Sequence, residues 1–374
     1  SMEQVDPGKP LGRLIAWTRE RGASDLHGRA RHPFIVRIDG RLETVPERLF
    51  PAPDDVTLTS WFMDVFSPEL QGRILRQREV DASFQFGGVR FRANFSKQRG
   101  YQSFSFRVVP QQRMRLEDLH LPVALHQLVD EPRGLLLITG PTGQGKSTTA
   151  RALIQQLNET CALRIITIED PIEYVFEDSL SHFEQREVRV DTETFADGIR
   201  NAMRQDPNVL FVGELRDRDS IWACMQAAET GHLVITTVHA DSVPQSIARI
   251  REFYPAAEQA SISALLGRNL NAVINQRLIP NRQGSRIPCL EVLRRDAGVE
   301  AAIVQNDLHL LHGIIEASTH IGMHTFDQYL VELLAAGQID EVTTRRYAVN
   351  RHALDMQLRG IVNPQSILRP DPGR

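Results

Sequence analysis

The residues that most clearly indicate a chemical function lie in the segment GPTGQGKST, which begins at Gly140. This segment fits the pattern G-x-x-x-x-G-K-[ST], whose glycines let backbone N–H groups approach phosphates at the start of a helix. In this pattern Lys146 reaches the β- and γ-phosphates and the Ser147 hydroxyl binds Mg²⁺. The residues expected to contact a nucleotide are Gly140, Thr142, Gly143, Gly145, Lys146, Ser147 and Thr148.

Carboxylates follow two further apolar runs of the chain. The run NVLFVGE ends at Glu214, and a carboxylate at the end of a buried strand can orient Mg²⁺ or its water beside phosphates. The run ITIEDPIEYVF contains Glu169, Asp170 and Glu173. One of these acids could polarise the attacking water, or the segment could be a solvated acidic loop. The residues alone leave both interpretations open.

Two histidines stand on either side of another apolar run, LVITTV. His232 precedes the run and His239 follows it, seven positions later. Side chains at an odd spacing on an extended strand point in opposite directions, which argues against a shared metal site. Sensing of the γ-phosphate and an ordinary structural role both remain open for each histidine.

The elements that must position these residues follow an alternating pattern from Pro122 onward. The apolar runs GLLLITG, RIITIED, NVLFVGE and HLVITTVHA alternate with helical stretches. Such alternation predicts an α/β domain with a parallel sheet that is covered on its faces. After Asn275 the pattern becomes mostly helical to about Leu358, and a loose tail begins at Ile361.

The part of the chain before this pattern differs in character. Apolar residues have helical spacing from Leu11 to Arg21, and residues 33–45 predict two short strands joined by the turn dipeptide Asp39-Gly40. Residues 81–110 alternate between apolar and polar side chains through three strands. These patterns predict a small α+β domain with an antiparallel sheet.

The polar segment QQRMRLEDLHLP separates the two patterns. It predicts an N-terminal domain over residues 1–110, a linker over residues 111–122 and a second domain over residues 123–374. The second domain is expected to be mostly helical after residue 275. The order of patterns therefore predicts an α+β domain followed by an α/β phosphate-binding domain with a helical C-terminal part.

Composition narrows the class of protein. The 374 residues are 41% apolar and 24% charged, with a net charge of −4, which is typical of soluble globular proteins and argues against nucleic acid as a partner. No apolar run approaches the roughly 20 residues of a membrane-spanning helix. An odd number of distant cysteines suits a reducing cytoplasm rather than a disulfide framework. They are Cys161, Cys224 and Cys289.

Taken together, the four segments resemble secretion-superfamily ATPases, and within them the PilT-like retraction motors of type IV pili. GPTGQGKSTT is similar to the Walker A motif of this family and ITIEDPIEYVF to its Asp box. RNAMRQDPNVLFVGELRD resembles its atypical Walker B motif, and TGHLVITTVHADS its His box. The phrases ASDLH, RFRANFSKQRG, FEQREVRVDTETF and GMHTFDQYL extend the resemblance over nearly the whole chain.

The resemblance implies a homohexameric ATPase that uses ATP and Mg²⁺ to drive pilus disassembly and twitching motility. Each subunit would have a PAS-like N-terminal domain followed by a RecA-like P-loop ATPase domain. The implied partner is an inner-membrane pilus platform protein or a secretion-system base. The implied location is the cytoplasm, peripheral to the inner face of the inner membrane, without insertion into the membrane.

The resemblance also assigns roles to individual residues. Glu173 would be the general base, and Glu214 would be the Walker B acid near Mg²⁺ and the water. His232 would report the state of the nucleotide, with His239 in the same box. Arginines of the first domain would approach the phosphates. The arginines that match are Arg90, Arg92, Arg107 and Arg113.

Two departures from the family pattern keep alternatives open. Gln144 replaces the usual Ser in the phosphate loop, at a position that is variable in the minimal motif. Residues 298–311, GVEAAIVQNDLHLL, stand where retraction motors typically carry an AIRNLIRE-like stretch. The alternatives are a DotB-like ATPase of type IVB secretion or conjugation and a pilus assembly or accessory ATPase. Intact Lys146, Glu173 and Glu214 argue against a catalytically silent accessory subunit, and net acidity argues against a nucleic-acid translocase.

Overall fold

The computed structural model describes residues 3–38, 40–109 and 114–358. The described residues up to 109, together with Pro171–Val175, form one compact unit, and the other described residues from 114 onward form a second. Four sequence-based expectations fall outside the described residues. They concern the turn residue Asp39, the first residues of the predicted linker, the candidate arginine Arg113 and the tail from Ile361.

Alternating apolar and polar residues build the sheet of the first unit. Among the described residues it has seven strands in the order β1-β5-β6-β7-β2-β3-β4, and all neighbours are antiparallel except β1 and β5. In chain order the strands are β1 Glu3–Gln4, β2 Asp25–Arg29, β3 Ile35–Ile38, β4 Arg41–Thr44, β5 Glu79–Phe86, β6 Val89–Gln98 and β7 Tyr101–Val108. The antiparallel character predicted from β3 to β7 is confirmed. The strand β2, whose sequence DLHGR has little β propensity, forms through its pairing with β7 and β3.

Three helices cover the apolar face of this sheet. They are α1 Pro10–Glu20, α2 Asp55–Val65 and α3 Pro68–Arg76. Phenylalanines from α2 and the strands form the core, and their ring contacts add to the area they bury. Phe84 stacks on Phe91 at 5.0 Å, and Phe62 meets Phe95 edge to face at 5.1 Å. The first unit is thus the predicted α+β domain.

Fully buried apolar strands build the sheet of the second unit. Among the described residues it has seven strands in the order β10-β9-β11-β12-β8-β13-β14, parallel except for β14. In chain order the strands are β8 Gly134–Thr139, β9 Arg164–Glu169, β10 His182–Glu187, β11 Val209–Val212, β12 Leu233–Val238, β13 Leu270–Pro280 and β14 Arg286–Arg294. Because β8, β9, β11 and β12 are parallel, the segments that follow them meet at one edge of the sheet.

Helices follow most of these strands. They are α4 Lys146–Thr160, α5 Phe195–Ala202, α6 Arg218–Glu229, α7 Val243–Glu252, α8 Ala256–Asn269, α9 Ala297–Gln305, α10 Leu311–Ala317, α11 Phe326–Ala335, α12 Glu341–Tyr347 and α13 Arg351–Leu358. Leu135 and Leu137 of β8 face a core that includes residues of α5 to α10. Within the described part of the chain, no helix combines the length and apolar character that crossing a membrane requires. The predicted α/β fold of this unit is confirmed.

The C-terminal part differs from the expectation at its start. The chain does not become helical directly after Asn275, because β13 and β14 form an antiparallel hairpin and the helices resume at Ala297. Polar residues inside the run NAVINQRLIP conceal a strand that is buried beside β8. The divergent residues 298–311 form most of α9, a single turn at Leu308–Leu310 and the first residue of α10.

Candidate active site

The predicted phosphate loop connects β8 to α4. Gly140, Gly143 and Gly145 have φ values of +148°, +76° and +82°, a region of backbone conformation that favours glycine. Gly145 precedes α4 and provides no side-chain cap for it. The first N–H groups of α4 are therefore left for an anion, together with the positive end of the helix dipole.

Lys146 lies inside this loop with only 7% of its surface exposed. Its Nζ donates to the main-chain oxygens of Gly140 and Pro141, both at 2.9 Å, and lies 3.2 Å from His239 Nδ1. Burial lowers the pKa of Lys146. The two carbonyl oxygens and the imidazole that contact Nζ are uncharged in their ordinary states. The ammonium group of Lys146 therefore lies in the loop with no carboxylate among these contacts to neutralise its charge.

Arg216 joins two of the acidic segments at the same edge of the sheet. Its Nε donates to Glu214 Oε1, and its Nη1 donates to Asp170 Oδ2 at 3.1 Å. Asp170 Oδ2 also accepts from Arg189 Nη2 at 3.2 Å. The other oxygen of Glu214, Oε2, lies 3.6 Å from His239 Nε2. The acid after β11 and one acid after β9 therefore share one network, as the parallel sheet predicts.

The two histidines lie at opposite ends of β12. His239 follows the strand and contacts both Lys146 and Glu214. Burial, together with the charges of Lys146 and neighbouring arginines, lowers the pKa of His239 and favours its neutral form. His232 precedes the strand, and its Nδ1 lies 2.9 Å from Ala227 O.

Within its own chain, His232 lies far from the phosphate loop. Six residues of extended strand, roughly 3.3 Å each, separate the two histidines, so His232 lies about 20 Å from the phosphate-loop edge. The spacing in the sequence predicts that the two side chains point in opposite directions, but it does not select the strand that lies beside β8. The pairing of β12 with β8 decides that His239 is at the loop.

Glu173 belongs to the segment Pro171–Val175, which is part of the first unit. Its side chain is 51% exposed, and Oε1 accepts from Arg92 Nη1 at 3.3 Å. Glu169, by contrast, is buried and accepts from Thr167 Oγ1 at 2.6 Å and from Gln185 Nε2 at 3.2 Å. Of the three acids in this motif, Glu173 is thus the exposed one.

The four candidate arginines differ in their surroundings. Arg90 is buried in the first unit with 4% of its surface exposed. Arg107 Nε donates to Asp25 Oδ1 at 2.7 Å in the same unit. Arg92 contacts Glu173, and Arg113 lies outside the described residues. Among the described arginines, Arg92 contacts a predicted catalytic side chain, that of Glu173.

The residues present suit Mg²⁺ that is bound together with a nucleotide. Ser147 is exposed at the start of α4, and Glu214 lies in the network around His239. Among the described residues, no group of three or more His, Cys, Asp or Glu side chains could hold a metal ion. Mg²⁺ commonly uses few protein ligands and completes its shell with phosphates and water. The site therefore fits a metal that arrives with the phosphates.

Two residues of β13 at this site carry no motif in the sequence. Gln276 Nε2 donates to Gln144 O, and Gln276 Oε1 accepts from Thr149 Oγ1, both at 2.6 Å. Asn275 Nδ2 donates to Thr139 Oγ1 at 2.7 Å. The signal that could have found them is the strand β13 beside β8, whose residues after Asn275 the sequence pattern assigned to the helical part.

Comparison with known proteins adds independent information about the chain. It matches the type II/IV secretion system protein family over residues 78–308, more than half of its length. It is 36% identical over 337 residues to the type IV pilus retraction ATPase PilT of Pseudomonas aeruginosa, covering 90% of this chain and 97% of that protein. It is 38% identical over 288 residues to a twitching motility protein of Neisseria gonorrhoeae, covering 76% of this chain and 77% of that protein.

Solved structures with the same fold cover almost the whole chain. The crystal structure of the pilus retraction motor PilT with bound ADP has a TM-score of 0.82 and 36% identity, and covers 92% of this chain and 98% of that one. The ATPase DotB of Legionella pneumophila has a TM-score of 0.78 and 24% identity, and covers 96% and 100%. At that identity the likeness to DotB concerns the fold alone.

Proposed function

Because the chain belongs to the type II/IV secretion system protein family, we propose that it is an ATPase motor that disassembles and retracts type IV pili. The similarity to a pilus retraction ATPase along nearly the full length of both chains is the observation that carries this proposal. The phosphate loop, with Lys146 held inside it, supports the nucleotide chemistry that such a motor needs. Twitching motility would be the cellular result.

The proposed chemistry is hydrolysis of ATP. Backbone N–H groups of the loop and Lys146 would bind the phosphates, and Ser147 and Glu214 would hold Mg²⁺, which neutralises charge on the phosphate oxygens. Glu173 would accept the proton of the attacking water, and Arg92 would hold its carboxylate in place. His239, neutral and between Lys146 and Glu214, would respond to the terminal phosphate.

The proposed assembly is a homohexameric ring at the cytoplasmic face of the inner membrane. An inner-membrane pilus platform protein would be its partner, since a motor must transmit its force to the pilus base. ATP and Mg²⁺ would be required for activity. Arg90, Arg107 and Arg113 of the first part of the chain remain candidates for phosphate contact during the catalytic cycle.

The first experiment measures ATP hydrolysis by the purified full-length chain with and without Mg²⁺. We expect Mg²⁺-dependent activity that Lys146→Ala reduces at least about 100-fold, since this side chain is the cation of the loop. Lys97→Ala, at an exposed lysine of the first unit, is the matched control and should retain activity. Absence of hydrolysis in the unaltered protein would refute the proposal.

The second experiment decides the direction of work in the cell. Deletion of the gene should give cells with more pili and no twitching, because pili would still assemble but would not be withdrawn. Complementation with the unaltered gene should restore motility, and complementation with Lys146→Ala should not. Loss of pili after deletion would instead indicate an assembly motor.

A DotB-like motor for type IVB secretion or conjugation is the second candidate. Residues 298–311 keep this candidate open, because this segment has no arginine where retraction motors typically carry an AIRNLIRE-like stretch. In the structure α9 and the turn after it expose the apolar side chains Val304 and Leu310. Normal pili together with loss of secretion or conjugation in the deletion strain would support this candidate over retraction.

A further inference from the structure

One side chain of β13 connects the phosphate loop to the first turn of α4. Gln276 follows Asn275, the residue that pairs with Thr139 at the end of β8, so it stands beside the start of the loop. Only 1% of its surface is exposed. Its Nε2 donates to Gln144 O and its Oε1 accepts from Thr149 Oγ1, both at 2.6 Å.

The side chain of Gln144 makes a second connection to the same strand. Its Oε1 accepts from the N–H of Leu278 at 2.6 Å. The strand also lies directly against the loop backbone, because a Cβ atom at Gly140 would stand 2.4 Å from Gln276 O, and one at Gly145 would stand 2.8 Å from Gln276 Nε2. We call Gln144 and Gln276 the glutamine clamp.

The clamp determines where one N–H group of the loop points. In a trans peptide the carbonyl and the following N–H point in opposite directions. Because Gln276 holds the Gln144 carbonyl toward β13, the N–H of Gly145 points away from the strand. Gly143 and Gly145 are conformationally free residues, so fixing this peptide removes motion that phosphate binding would otherwise have to suppress.

We propose that Gln144 and Gln276 are positioning residues that preorganise the phosphate loop and thereby set its affinity for the phosphates of a nucleotide. The inference rests on the proposed function, since it concerns nucleotide binding at the same loop. The clamp acts through the loop backbone and not on the reacting atoms. Its loss therefore weakens ground-state and transition-state binding alike, which raises KM and leaves kcat nearly unchanged.

The test compares full-length variants by calorimetric titration with ADP and by steady-state hydrolysis of Mg²⁺-ATP. Gln276→Met keeps a similar volume and removes both hydrogen bonds of this side chain. We expect about a tenfold rise in Kd for ADP and in KM, with kcat within about threefold of the unaltered chain. Gln144→Met removes only the bond to Leu278 and should raise both constants about threefold.

Gln155→Met is the matched control. Gln155 is also a buried glutamine, 2% exposed, but it lies within α4 and its Nε2 donates to Glu159 Oε1 at 2.9 Å. We expect this variant to lower Tm while its Kd for ADP stays within about twofold of the unaltered chain. An equal loss of ADP affinity in Gln155→Met would show a general structural effect and would overturn the inference.

Other outcomes separate the inference from the proposed function. Unaltered Kd and KM in Gln276→Met, or a loss of kcat at constant KM, would overturn the clamp and leave an active ATPase. If Gln276→Met does not fold, the affinity of Gln144→Met for ADP tests the inference instead, because Gln144 is partly exposed. Unchanged affinity in that variant would then overturn the inference. Failure of the unaltered chain to bind ADP would instead refute the proposed function.

Discussion

At the scale of single residues, the charged groups of the site differ in whether a group of opposite charge lies beside them. Lys146 is surrounded by carbonyl oxygens and a neutral imidazole, whereas Glu214 and Asp170 share Arg216. Arg216, a residue of the segment RNAMRQDPNVLFVGELRD, therefore connects two acidic motifs. We expect these ion pairs to rearrange when a nucleotide binds, which would couple binding to motion.

The role of Glu173 can be tested by removing its charge alone. We expect Glu173→Gln to lower kcat for ATP about 100-fold or more, because a general base contributes roughly that factor, while Kd for ADP stays close to that of the unaltered chain. Steady-state hydrolysis and calorimetric titration measure the two effects. Glu193→Gln, at another exposed glutamate, is the control. Full turnover in Glu173→Gln would refute the assignment.

At the scale of elements, the segment GMHTFDQYL anchors the helical part to β14. Thr325 caps α11 in a capping box with Gln328. His324 exchanges backbone hydrogen bonds with Val292 and stacks on Tyr329 at 4.8 Å. Burial lowers the pKa of His324 to about 4, so this histidine is neutral in the folded protein at neutral pH.

The stability of this anchor should depend on pH. The folded-state pKa of about 4 lies below the ordinary value of 6.5, so the unfolded chain takes up the proton first and stability is lost as pH falls below 6.5. His324→Phe keeps the stack and removes the titration. Between pH 7.5 and pH 4.5 the unaltered chain should lose roughly 2 to 3 kcal/mol more unfolding free energy than this variant.

Urea unfolding at both pH values measures this difference. His309→Phe is the control because His309 is exposed, and it should retain the pH dependence of the unaltered chain. The same pH dependence in His324→Phe as in the unaltered chain would contradict the burial argument.

At the scale of the whole molecule, two units with separate cores divide the predicted machinery. The phosphate loop and Glu214 belong to the second unit, whereas Arg92 and the segment with Glu173 belong to the first. Each unit buries its own aromatic or aliphatic core, as chains of this length commonly do. This division suits a motor in which nucleotide chemistry and movement must be coupled.

The proposed ring predicts a particle of six chains. In the presence of Mg²⁺ and a non-hydrolysable ATP analogue, sedimentation velocity should show a hexamer, because a ligand that binds the assembled ring more tightly than the free subunit stabilises the assembly by mass action. Lys146→Ala should shift the distribution toward smaller species under the same conditions. A monomer at all concentrations of protein and nucleotide would contradict the ring.

Motifs with fixed local geometry could be predicted from the sequence. The phosphate loop, the four buried parallel strands and the Phe-rich antiparallel strands depend on residue type and short spacing, which a sequence displays directly. The expected binding of phosphate and Mg²⁺ by Lys146 and Ser147 also follows from residue type and spacing alone. The membership of the chain in its family agrees with the order of these motifs.

The tertiary structure decided what depends on strands that meet across long sequence separations. The pairing of β12 with β8 placed His239 at the phosphate loop and His232 at the opposite end of the strand. The pairing of β13 with β8 brought Gln276 against Gln144, 132 positions apart. The spacing of residues in the sequence gives the face of a strand on which a side chain lies. The strands that become neighbours in a sheet are selected by the packing of the whole domain, which no local pattern encodes.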